Sequence, residues 1–215
     1  MPVLVALIRA REQIGRAGLS SQQRLLARAA ITESSNEAIL SLFGALEEIE
    51  GGLEAASLTV QHVLHLSGDD ETVVTTAPPP VGAVTTFGQT GWSPRASAMF
   101  FRAFADGCLL PAADTSYLLG LMQEIVPSES WGLGSAGFPS VAFKGGWGPD
   151  PSGDYLVRQS GIVDPGSSAG VAVSIVAFPA SGAFSAGTAL VSEVADWLHR
   201  ELRLTPHGRP TCPER

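Results

Sequence analysis

Ser34 and Asn36 in "ITESSNEA", and Lys144 in "AFKGGWGPD", have types and settings that can do chemistry together. Lys144 is the only lysine in the chain, and arginine supplies the rest of the 13 basic side chains. Asn36 is the only asparagine. In a chain biased toward alanine, glycine and arginine, the lone ammonium and the lone amide are informative exceptions. An ammonium can give up its proton when its surroundings favour that, whereas a guanidinium hardly can. Each residue also has an ordinary reading when taken singly. Ser34 or Ser35 can cap a helix, and Glu37, three beyond Ser34, gives a capping-box spacing. Asn36 can be a turn residue and Lys144 a surface charge on a strand edge.

The elements that would carry these residues follow from periodicity and punctuation. Apolar spacing predicts helices over Pro2–Gly18, Ser20–Ala30, Ser34–Ile49 and Leu53–Gly68. A loop spans Thr72–Trp92, where three consecutive prolines forbid a helix. Two further helices begin near Pro94 and Pro111, positions where proline is tolerated. The last third changes character: Phe138–Trp147, Asp154–Asp164 and Ala169–Pro179 read as three strands of a meander. A terminal helix over Ala186–Leu204 and an irregular tail, 205–215, complete the chain. Helices, then three strands, then one helix predict an α+β fold in a single domain, 1–204, with no internal repeat.

Composition narrows the function classes. A hydrophobic content of 45% against 16% charged residues predicts a sizeable core. A net charge of −8, with no basic stripe and no finger spacing, argues against nucleic-acid binding. No apolar run approaches the roughly 20 residues of a membrane helix. The start, "MPVLVALIRAR", has no positive n-region and reads as a buried helix, not an export signal. Cys108 and Cys212 are open to two readings, one disulfide or two free thiols. His62 and His65, three apart on a helix, lack a third ligand in the sequence, so neither a metal nor another cofactor is expected. "GLGSAG" (Gly132–Gly137) matches a dinucleotide fingerprint only formally, because a helix precedes it and a strand follows. The kinase-like "VAFK" ending at Lys144 has no accompanying H-R-D or D-F-G.

Asn36 and Lys144 together resemble the second and third motifs of the penicillin-recognising serine hydrolases, the class A β-lactamases and their DD-peptidase relatives. Those motifs are S-x-N at a helical turn and K-[T/S]-G on an edge strand. "ITESSNEA" resembles the family's I-T-x-S-D-N-x-A, and "KGGWGPD…YLVRQSGIV" its lysine-bearing strand pair. The resemblance covers roughly Met1 to Leu202. It implies a helical lobe packed on an antiparallel sheet flanked by helices, with a cleft between them. It implies acyl-enzyme chemistry on β-lactams or acyl-D-Ala cell-wall peptides, outside the cytoplasmic membrane. By position, Ser34 would pass a proton toward the leaving nitrogen and Asn36 would hold the substrate's side-chain amide. Lys144 would favour the proton transfer and bind the substrate carboxylate. The N–H of Trp147 would join the oxyanion hole, Gly145 and Gly146 would let substrate lie against the strand, and Arg158 would pair with the carboxylate.

The departures from the family are as informative. The nucleophile motif S-x-x-K is absent, since the residue three before the only lysine is Val141. The start "MPVLVALIRA" resembles the residues that follow that motif. The chain is therefore expected to lack the motif, a first helix and two N-terminal strands. A misassigned start or truncated gene explains this better than a genuine remnant, because the last strand would otherwise be a bare apolar edge. As given, the chain is expected to be poorly soluble and without covalent chemistry. The motifs read S-S-N and K-G-G, so a carboxylate and a hydroxyl are missing, and no E-x-x-L-N supplies a base for deacylation. The alternative is a non-catalytic module of the same fold that binds cell-wall peptide or a protein partner.

Overall fold

The computed structural model describes residues 1–77, 87–150, 152–205 and 212. The prolines of the long loop, Pro78–Pro80, and nearly all of the tail lie outside them.

Helix α1 (Pro2–Gln13) is the centre of the helical lobe, with Val3–Ile8 and Ala10 all buried. A helix apolar on every side has no solvent face to present, and α1 is wrapped by its neighbours accordingly. It ends at Gln13, earlier than the periodicity suggests, and 14–18 form turns around two positive-φ glycines. Helix α2 (Ser21–Thr32) starts in a capping box in which Ser20 and Gln23 satisfy each other's backbone N–H groups. Helices α3 (Asn36–Glu50) and α4 (Leu53–Leu66) pack on α1 and on each other. Helix α5 (Pro94–Ala105), capped by Ser93, and α6 (Ala112–Gln123) reach the sheet.

The cap of α3 is Ser35, whose hydroxyl accepts from the N–H of Ala38 at 3.2 Å; Ser34 stands outside the helix. The Ser34–Glu37 capping box does not form, which frees the Ser34 side chain for another partner. Ser35→Ala is expected to cost about 1 kcal/mol in urea denaturation.

Strands β1 (Val141–Pro149), β2 (Tyr155–Val163) and β3 (Val171–Ala177) form an antiparallel meander in that order, as the turns between them predict. Even-numbered β1 and β2 side chains such as Ala142 and Ile162 join the helical core. Odd-numbered ones, among them Phe143, Val157 and Val163, pack under helix α7 (Phe184–Glu201) through Val191 and Ala195. Across the lobe-facing side, Lys144, Ser160 and Ser174 stand in register on β1, β2 and β3. Ser97 of α5 donates to Ser160 at 2.8 Å, and Ser160 and Ser174 share a hydrogen bond of 2.9 Å. This hydroxyl row pins α5 to the sheet. Cys108, just beyond α5, is disulfide-bonded to Cys212 with their Cα atoms 5.4 Å apart, which decides between the two readings of the cysteines.

Candidate active site

The turn between α2 and α3 aims Ser34 at the sheet. Its backbone is held by hydrogen bonds from Ser35 N–H to the Ala29 carbonyl and from Val126 N–H to the Thr32 carbonyl. Ser34 itself has φ 54°, in the left-handed region that a non-glycine residue enters only when its surroundings impose it. Its hydroxyl accepts a hydrogen bond from Nζ of Lys144, 110 positions away. Lys144 also donates to the carbonyl of its neighbour Gly145 at 2.7 Å. The ammonium is thus held between the turn and the strand edge.

Burial lowers Lys144 from its usual 10.5 to about 8, against a smaller opposing pull from the Glu129 carboxylate. The beginning of α1 lies close by: the Met1 amino group is lowered to about 5, first by burial and then by the charge of Lys144. Asn36 is the first residue of α3, exposed, and its side chain makes no hydrogen bond among the described residues.

Among the described residues β1 is an edge strand of the sheet. Asp164 N–H bonds the Ser140 carbonyl and Asp150 N–H bonds the Asp154 carbonyl, both at 2.9 Å. Antiparallel pairing alternates, so the even-numbered residues between them bond to β2. The N–H and C=O groups of Gly145 and Trp147 then point away from β2. The Gly145 carbonyl accepting from Lys144 agrees with this.

Arg158 is the cross-strand partner of Gly146, and a Cβ at Gly146 would meet Arg158 Cγ at 3.4 Å. Its guanidinium lies 5.4 Å from the ring centroid of Trp92. Burial pulls its pKa below the usual value, and its Nη2 is buried without a hydrogen-bond partner among the described residues. Trp92 is itself fixed, donating from Nε1 to Asp69 at 3.1 Å, while the Asp69 carboxylate accepts from the N–H of Thr72 at 3.0 Å. A buried cation with an unmet donor is costly alone and is relieved by an anionic ligand.

The structure therefore joins Ser34 and Lys144 directly, sets Arg158 beside Gly146, and places Asn36 two residues from Ser34. Sequence reasoning missed Trp92, Trp131 and Gln159. Trp131 lies over Gly145, where a Cβ would meet its Cζ2 at 3.2 Å. Gln159, fully buried, holds the turn that carries Trp131: it donates to the Trp131 carbonyl at 2.6 Å and accepts from Leu133 N–H at 2.7 Å. One signal was available, since three of the chain's four tryptophans gather here. A separate cavity of about 450 Å³ beside α5, lined by Arg95, Met99, Arg102 and Ala172 among others, contains none of these residues.

No protein-family model matches the chain, and no curated protein does. Solved structures do. The chromosome-encoded β-lactamase of Vibrio parahaemolyticus superposes with a TM-score of 0.66 at 16% identity, over 94% of this chain and 83% of that one. A variant of the class A β-lactamase of the last common ancestor of Gram-negative bacteria gives 0.65 at 19% identity, over 96% and 83%. The ancestral class A enzyme itself gives 0.65 at 18%, over 93% and 82%. The chain has the fold of the class A β-lactamases.

Proposed function

We propose, from this fold and from the contact between Lys144 and Ser34, that the cleft recognises β-lactams or acyl-D-Ala-type cell-wall peptides as a β-lactamase-like serine hydrolase site does. The contact carries the reading because it joins the S-x-N turn to the K-x-G strand, the two motifs whose pairing forms such a cleft. In this reading Lys144 and Arg158 hold the ligand's carboxylate and the Asn36 amide holds its side-chain amide. Gly145 and Gly146 admit it against the strand edge, where the Trp147 N–H meets the acyl oxygen. Ser34 relays a proton between Lys144 and the departing nitrogen. A Lys144 ammonium lowered to about 8 exchanges protons near neutral pH, as such a relay requires.

Acyl transfer also needs a nucleophile, and the chain has no S-x-x-K. The proposed activity of the chain as it stands is reversible binding without acylation. The domain is proposed to span 1–204 and to act outside the cytoplasmic membrane. The second reading, a non-catalytic module for cell-wall peptide, is favoured by the same missing motif. Translation of the codons upstream of Met1 separates the two, since an S-x-x-K motif among them would restore the enzyme.

A fluorescent penicillin tests the reading on the purified chain. Fluorescence polarisation is expected to rise on binding, and Arg158→Ala is expected to weaken binding at least about tenfold, the usual scale for one charge-assisted contact. Denaturing gels are expected to show no labelled band. A covalent band would overturn the non-acylating reading, and absence of any polarisation change would overturn recognition itself.

A further inference from the structure

On the α7 side of β1 the chain is aromatic where a K-[T/S]-G strand would carry a hydroxyl. Gly145 has no side chain, and Trp131 occupies the space above it, 3.2 Å from where a Cβ would stand. Trp131 meets Trp147 edge-on with ring centroids 6.1 Å apart, and Phe184 likewise at 6.2 Å. Trp147 and Phe184 are 5.3 Å apart. The three rings brace one another, so their positions are set before any ligand arrives. Trp147 nevertheless remains 37% exposed. Its ring centroid is 5.9 Å from the Lys144 ammonium that bonds Ser34. An exposed indole and a buried cation thus lie side by side on one strand edge, and the stem of Arg158, whose Nη2 finds no partner among the described residues, runs beside Gly146.

We propose that Trp131, Trp147 and Phe184 form an aryl subsite: the cleft takes an anionic ligand whose flat aromatic ring packs against Trp147. The inference rests on the reading that Lys144 and Arg158 hold the ligand's anionic group. An anion satisfies the two cations, and a ring covers the exposed indole in the geometries aromatic pairs favour. An aliphatic ligand would leave that indole in water, and a second charge beside it would be desolvated without a partner. The indole and a hydroxyl also compete for one space, because a Cβ at 145 would press on Trp131 at 3.2 Å and the ring would have to give way. The wall therefore replaces the polar contact of a K-[T/S]-G strand instead of adding to it.

Hippurate and N-acetylglycine share an amide and a carboxylate and differ by a phenyl ring in place of a methyl group. In calorimetric titration the chain is expected to bind hippurate about tenfold more tightly, the upper range for one aromatic contact. Trp147→Ala is expected to bring the two affinities together, and Trp147→Phe to keep most of the preference. Trp131→Ala combined with Gly145→Ser, which exchanges the indole for a hydroxyl, is expected to lose the aryl preference while still binding both ligands. Arg158→Ala is expected to weaken both ligands and leave their ratio unchanged. Equal affinities for the unmutated chain overturn the subsite, whatever the variants do, and leave the anionic cleft standing. Failure to bind either ligand overturns the cleft reading and the subsite with it.

Discussion

Lys144→Met is expected to abolish ligand binding and, at pH 7, to make the fold more stable. Both effects have one cause. The ammonium is buried at the meeting of the turn and β1, and burial lowers it from 10.5 to about 8. Below pH 8 the folded and unfolded chains both carry the proton, and the fold bears the full cost of the buried charge. Between pH 8 and 10.5 the folded chain has shed a proton that the unfolded chain keeps, so stability rises with pH. Above 10.5 that cost has gone. The gap corresponds to about 3 kcal/mol. Methionine fills a similar volume without the charge. It forfeits the hydrogen bonds to Ser34 and to the Gly145 carbonyl, each worth about 1 kcal/mol.

Urea denaturation of both proteins from pH 7 to 10.5 checks this. The advantage of the methionine variant is expected to shrink by about 3 kcal/mol across that window. The Met1 amino group, at about 5 in the folded chain against an ordinary 8.0, contributes its own rise only up to pH 8, so the difference is read between pH 8 and 10.5, and the raised phenol of Tyr117 is common to both proteins. A pH-independent difference, or a variant that still binds the fluorescent penicillin, would sink the assignment. Lys144→Arg is expected to bind no better than the methionine variant, because a larger cation that keeps its proton cannot take the place beside Ser34.

How much of this site was legible in the sequence depended on how local its causes are. Lys144 and Asn36 stood out because composition made them exceptions, and the strands and helices announced themselves by period and punctuation. The cap of α3 did not, since Ser34 and Ser35 are equally good caps locally. The choice falls to Ser35 because the turn drives Ser34 to φ 54° and its hydroxyl to Lys144, a contact 110 residues long. The pairing of Cys108 with Cys212, 104 positions apart, is likewise a product of how α5 and the tail are placed and not of spacing. Trp131 belongs to a segment, "SWGLGSAG", that resembles a glycine-rich entry to a strand. One short 3-10 turn forms there, at 132–134, where Gln159 of β2 supplies partners from outside the segment. Such help from distant residues has no signature in the local pattern.

Gln159→Leu should therefore be among the most damaging single changes in the molecule, although nothing in its local sequence singles Gln159 out. The side chain is completely buried on the α7 side of β2. Its amide donates to the Trp131 carbonyl and its oxygen accepts from the Leu133 N–H. Between these two lies Gly132, with φ 62° and no room for a Cβ, which would come within 2.3 Å of the Gln159 oxygen. Leucine matches the volume but leaves a buried carbonyl and a buried N–H unpaired, at about 1–3 kcal/mol each. A loss of about 2–6 kcal/mol is expected in urea denaturation. Gln159→Glu is expected to fare no better, since a carboxylate can accept from Leu133 but repels the Trp131 carbonyl and carries a charge into the core. The damage is expected to reach the aromatic wall before the fold gives way. Near-ultraviolet circular dichroism should report altered tryptophan packing at urea concentrations where the far-ultraviolet signal is still that of the native chain. A variant that loses under about 1 kcal/mol and keeps its near-ultraviolet spectrum would show that the turn holds Trp131 over Gly145 without this amide, since even one unpaired buried group costs more than that.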